Sequence, residues 1–153
     1  MTTIVIDRKQ KQIYTDTRCT MKYSKIEQLF KKKTMEIWDD TQKCYKVGNL
    51  LITGCGCYGA LLAVVDYLSD YKNRNLHSLL LMYQDKSKSD SDIYVCYDDQ
   101  VSACLKVKKI SIRYKPKRFR RNFEITESYP KKTEIFNGSG ANMQKQLLKQ
   151  VLH

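Results

Sequence analysis

Short β-rich stretches dominate the first third of the chain. Residues 2–6 and 11–15 flank the polar run Asp7-Arg8-Lys9-Gln10, a pattern that predicts an N-terminal hairpin. Ser24 and Glu27 have capping-box spacing. Ile26, Leu29 and Phe30 then form a short apolar stripe ahead of Lys31-Lys32-Lys33, so a two-turn helix is expected over residues 24–33. Residues 45–53 read as a second hairpin turning at Gly48-Asn49, with Leu50-Leu51-Ile52 on a buried return strand. Beyond the glycine cluster Gly54-Cys55-Gly56-Cys57-Tyr58-Gly59, the residues Leu61, Leu62, Val64, Val65 and Leu68 recur at helical spacing. They predict a helix running to about Arg74 that lies on a sheet.

Further strands are expected at residues 79–84, 93–97, 101–107, 110–114, 123–126 and 133–136, with a charged, Ser-rich loop over 85–92. In the last segment, 142–153, Met143, Leu147, Leu148 and Val151 fall on one side of a second helix expected to pack beside the first. A chain of 153 residues with this single run of strands, helix and strands is expected to form one domain, 1–153, with an α+β fold.

Charge changes the picture more than composition does. The formal net charge is +12, and nine basic residues with no acid lie between Lys106 and Arg121: Lys106, Lys108, Lys109, Arg113, Lys115, Lys117, Arg118, Arg120 and Arg121. Alternation with Leu105, Val107, Ile110 and Ile112 predicts a strand pair with a basic face, followed by an exposed turn over 115–121. Such a face suits nucleic acid or an acidic host protein, with Tyr114, Phe119 and Phe123 able to stack on unpaired bases. It equally suits a solvated edge that resists aggregation. Asp66 and Tyr67 interrupt the longest apolar run, and the N-terminus has no secretory pattern, so no membrane partner and a cytoplasmic location are expected. The six cysteines lack the two-residue gap of a zinc knuckle, and no metal or cofactor is implied. Packed, reduced thiols are expected, with the Cys55-Gly56-Cys57 pair left open.

Five features come in an ordered series: Thr2-Thr3-Ile4-Val5 at the start, Thr15-Asp16-Thr17-Arg18 after the second strand, Gln42-Lys43-Cys44-Tyr45-Lys46-Val47, the glycines from Gly54, and Gly138-Ser139-Gly140 before the last helix. The series resembles the N-terminal-nucleophile (Ntn) hydrolases of the proteasome β-subunit and HslV type, and most closely the small HslV-like proteins of bacteriophages. The resemblance covers nearly the whole chain. It implies a layered αββα-type sandwich of antiparallel sheets and assembly as a homo-oligomer in a host cytoplasm.

It also implies that removal of Met1 would expose Thr2 as nucleophile and, through its amine, as general base. Lys43 would sit beside Thr2, Asp16 would hold that lysine, the Gly54 N–H would serve an oxyanion, and Ser139 would support the amine. Each residue also has an ordinary reading: an edge residue, a turn acid, a strand base, a strand-end glycine and a helix cap. Family members continue past the helix that follows Gly138-Ser139-Gly140, so a C-terminally truncated scaffold is expected. The segment between Thr20 and Lys43 exceeds the family spacing by about ten residues, an insertion near the cleft mouth. Two functions therefore follow: a threonine peptidase or amidohydrolase, and a non-catalytic binding protein that uses the basic face.

Overall fold

Alternation of side chains along one central strand divides the interior in two. In β7 (Ser91–Tyr97), Ile93 and Val95 point into one apolar cluster, and Tyr94 and Cys96 into another. The protein is described here by a computed structural model that covers residues 3–16, 19–22, 35–38, 41–84 and 87–138. The expected helices over 24–33 and 142–153 lie outside the described residues.

The first hairpin forms as expected, from β1 (Thr3–Asp7) and β2 (Gln12–Thr15), and pairs through β1 with the late strand β10 (Glu134–Gly138) to give the antiparallel order β10-β1-β2. Short strands β3 (Cys19–Lys22) and β4 (Met35–Trp38) pair with each other. The second sheet has five antiparallel strands in sequential order: β5 (Cys44–Val47), β6 (Leu50–Cys55), β7, β8 (Lys106–Tyr114) and β9 (Phe123–Ser128). Gly48 lies at φ +58° in the β5–β6 turn, a conformation that favours glycine.

Helices α1 (Tyr58–Ser69) and α2 (Leu76–Tyr83) cover one face of this sheet. Ala60, Leu61, Ala63, Val64, Leu79 and Leu80 pack there against Ile52, Ile93, Val95, Ile110 and Ile112. The other face meets the three-stranded sheet through Ile4, Ile6 and Ile135, set against Tyr94, Cys96, Leu105 and Val107. The result is a mixed α+β structure with two packed antiparallel sheets and a helical layer outside the larger one.

Four expectations are corrected. Residues 79–84 are not a strand. The apolar run Leu79-Leu80-Leu81-Met82 is too short for periodicity to decide, and the Asn75 side chain accepts the Ser78 N–H at 3.0 Å, starting α2 instead. Residues 101–107 are not a continuous strand either: the Asp99 carboxylate takes the N–H groups of Val101 and Ser102 at 3.0 and 2.7 Å, so the backbone bends and β8 begins at Lys106. From there β8 runs unbroken to Tyr114, where two separate strands were expected. Helix α1 ends at Ser69 rather than near Arg74.

Arg8 ties the edges together. Its N–H donates to the Thr133 carbonyl at 2.8 Å, its carbonyl accepts from Leu105 N–H at 2.9 Å, and its Nε donates to the Leu105 carbonyl at 2.8 Å. Among the described residues no helix is long and apolar enough to cross a membrane.

Ile52 of β6 is fully buried in the apolar cluster to which both helices contribute. Ile52→Ala is expected to lower the unfolding free energy by about 2–5 kcal/mol, read from urea denaturation, because a tight interface refills little of the lost volume.

Candidate functional site

Asp16 follows the last residue of β2 and joins three segments that are distant in sequence. Its Oδ2 accepts the Thr3 N–H at 3.0 Å, its own N–H donates to the Thr3 carbonyl at 3.3 Å, and its Oδ1 lies 2.5 Å from Lys43 Nζ. The Lys43 side chain is 2% exposed and that of Asp16 33% exposed. An ammonium taken out of water needs a counter-charge and hydrogen bonds, and the carboxylate brings both while one side of it stays wet. The main chain of Lys43 is fixed as well, because the fully buried Thr53 donates its hydroxyl to the Lys43 carbonyl at 2.8 Å.

Gly54 follows Thr53 and stands opposite Ile93 in the β6–β7 ladder. A Cβ there would collide with the Ile93 side chain and lie 3.0 Å from the Asp92 carbonyl, so the glycine permits close approach of the strands. The β5–β6 pairing reaches Cys44↔Thr53, one residue short of Gly54. Asp16, Lys43 and Gly54 thus lie at one end of the sandwich, beside the start of β1. Thr2 and Ser139 lie outside the described residues. Their chain neighbours Thr3 and Gly138 are register partners in the β1–β10 ladder.

A second polar cluster at the same end escaped the sequence analysis. Asp92, on the inter-sheet side of β7, receives Arg113 Nη2 at 3.0 Å on Oδ1 and the Asn137 amide at 3.1 Å on Oδ2, with Lys109 Nζ at 4.0 Å. The same amide lies 2.6 Å from the Tyr94 hydroxyl, and Asn137 Oδ1 accepts the Gly138 N–H at 2.7 Å. Burial alone would raise the Asp92 pKa. The Asn137 hydrogen bond and the Lys109 and Arg113 charges outweigh it, leaving the carboxyl below its ordinary 3.8.

Cys55, the ladder partner of Asp92, has its thiol pushed up to about 11, first by burial and then by that carboxylate; it is protonated at neutral pH. Cys44, Cys55, Cys57, Cys96 and Cys104 are free thiols. One signal for the cluster was available in the sequence: Asp92 and Tyr94 share a strand face with apolar Cys96, and a charge at that parity needs partners across the sheet. Among the described residues no group of three or more His, Cys, Asp or Glu could hold a metal ion.

The nine cations between Lys106 and Arg121 do not form a single face. Register places Lys109 and Arg113 on the inter-sheet side, with Asp92, whereas Lys108 lies on the opposite side and pairs with Glu127 at 2.9 Å. Lys106 pairs with Asp99 at 3.0 Å and Lys115 with Glu124 at 2.7 Å. Arg121 turns inward, donating to the carbonyls of Gln84 and Ser87 at 3.2 and 2.7 Å, with its guanidinium over the rings of Tyr114 and Phe123. Lys117, Arg118 and Arg120 remain at the exposed hairpin tip. Comparison of the chain with protein-family models, curated proteins and solved structures gave no match.

Two outcomes follow from this geometry. Asp16→Asn removes the carboxylate from an enclosed ammonium and is expected to cost about 2–3 kcal/mol in urea unfolding at neutral pH. Lys43→Met leaves Asp16 its contact with water and should cost less, and the reverse order would contradict this account of the pair. Because the Asp92 carboxyl is lowered by folding, its contribution to stability is complete above the unfolded value and is lost as pH falls through the folded one. Asp92→Asn should therefore flatten the acid side of the stability profile below about pH 4, measured by denaturation across pH.

Proposed function

We propose that this protein is an amide-bond hydrolase of the N-terminal-nucleophile type, with Thr2 as the nucleophile once Met1 is removed. The observation that supports the reading is the Asp16 bridge: one carboxylate binds the Thr3 N–H and an enclosed Lys43, so the lysine is anchored within one residue of the nucleophile it would serve. The reading assigns the oxyanion donor to Gly54, which follows the last residue of the β5–β6 pairing, and support of the amine to Ser139, the chain neighbour of Gly138, which pairs with Thr3.

The chemistry needs no metal. The free amine of Thr2, whose ordinary pKa lies near ~8, accepts the hydroxyl proton as Thr2 Oγ1 attacks the substrate carbonyl. The Lys43 ammonium disfavours protonation of that amine and stabilises the alkoxide, while the Gly54 N–H donates to the oxyanion. The proton passes to the departing amine, leaving an ester on Thr2. Water, deprotonated by the same amine, then hydrolyses the ester and restores the hydroxyl. The chain would act as a viral accessory hydrolase in a host cytoplasm and would assemble from identical copies.

Intact-mass analysis tests this directly. Active material is expected to have lost Met1 and to gain one equivalent of a peptide boronate or vinyl sulfone at Thr2. Thr2→Ala should abolish the adduct, and Lys43→Arg should slow its formation by about tenfold or more while the protein stays folded. Retained Met1 together with an unmodified Thr2 would reject the hydrolase reading. A second reading, binding through the basic segment, is favoured by the cations left at the hairpin tip.

A further inference from the structure

Folding neutralises most of the basic segment and isolates the rest. Lys106, Lys108, Lys109, Arg113 and Lys115 each face a carboxylate, and Arg121 is committed to carbonyls and ring faces. Among the described residues Lys117, Arg118 and Arg120 form no ion pair. Lys117 and Arg120 flank the two-residue loop Arg118-Phe119: Lys117 N–H donates to the Arg120 carbonyl at 3.0 Å, and Arg120 N–H to the Lys117 carbonyl at 2.8 Å.

Both central residues are left-handed, Arg118 at φ +50° and Phe119 at φ +62°, the signature of a type I′ turn. That turn favours Asn-Gly. Arginine followed by phenylalanine is a strained choice, made worse by the bulk of the ring. Nor does packing explain it, because the Phe119 side chain is fully exposed. Beneath the tip lies an open concavity of about 510 Å³ lined by His77, Lys117, Arg118, Arg120, Arg121 and Asn122. An aromatic ring held in water between two arginines, over a cationic hollow, satisfies neither the backbone nor the core, and its residues fit a ligand instead.

We propose that the β8–β9 hairpin tip binds single-stranded nucleic acid, with backbone phosphates against Lys117, Arg118 and Arg120 and an unpaired base stacked on Phe119. A free strand uses both elements of the tip, since every base offers a π-face and every linkage a charge. An acidic peptide would engage the cations and leave the ring without a role, and a duplex keeps its bases stacked on each other. The tip projects from the end of the five-stranded sheet that also carries Lys43, Gly54 and Asp92, because the ladders run Thr53↔Cys44, Cys55↔Asp92, Ser91↔Ile112 and Tyr114↔Phe123 toward it. The inference stands whether or not Thr2 is a nucleophile.

Fluorescence anisotropy of the whole chain with labelled oligo-dT and oligo-U of about 12 nucleotides tests it. Affinity is expected to fall with rising salt, with a log–log slope near about −2, as about three phosphate contacts on a single strand require. Phe119→Ala should weaken binding by about tenfold. The decisive variant is Arg118→Asn combined with Phe119→Gly, which installs the favoured turn pair. It should keep or raise the thermal midpoint and abolish binding, so loss of affinity there is not loss of fold. Unchanged affinity in that variant, tighter binding to a duplex of equal length, or equal displacement by polyglutamate at matched charge would each overturn the proposal, the last in favour of an acidic protein partner. The two oligonucleotides separate DNA from RNA as the source of the strand.

Discussion

A lysine enclosed between two sheets constrains everything around it. Lys43 has almost no contact with water, and its ammonium meets Asp16, which also takes the first N–H of β1. Losing either the β1–β2 pairing or the β5–β6 pairing would separate the charges, so the smaller sheet and the larger one are coupled by a charge as well as by apolar contact. Thr53 adds a hydrogen bond to the lysine carbonyl, and Gly54 lets the neighbouring strand come close. The start of β1 is thereby placed by polar geometry, a tighter requirement than hydrophobic packing, which tolerates small shifts.

The inter-sheet space changes character along its length. Ile4, Ile6, Ile135, Leu105 and Val107 make it apolar at one end. Toward Thr3 and Gly138 it becomes polar, with Asp92, Arg113, Asn137 and Tyr94 linked to one another on one side of β1 and Asp16 with Lys43 on the other. An ordinary sandwich would fill this end with aliphatic side chains, since buried charges add little net stability compared with apolar residues of similar volume. The charges kept there hold the β10 end and the β1 start in a fixed relation.

Along β8 and the hairpin tip beyond it, cations are divided between two purposes. Within sixteen residues, five cations are spent on ion pairs, one on carbonyls and rings, and three remain at a strained turn carrying an exposed phenylalanine. Net charge alone gives no hint of this division. A carboxylate placed diagonally on the neighbouring strand, such as Glu124 near Lys115 or Glu127 near Lys108, decides which cations keep a free field.

The sequence by itself determined the local elements: the first hairpin, the Gly48-Asn49 turn, helix α1, and the strands at 93–97, 110–114, 123–126 and 133–136, because periodicity, turn residues and β-rich composition act over a few neighbours. It also marked Asp16, Lys43 and Gly54 as residues of interest. Local signals failed where a single side chain redirected the backbone, as Asn75 does at α2 and Asp99 does before β8. Only the tertiary structure decided that Asp16 meets Lys43 across 27 positions, that Asp92 gathers Arg113 and Asn137, and which of nine cations stay unneutralised. Those facts depend on register between strands that are remote in the chain, where a one-residue slip would turn each side chain to the opposite face.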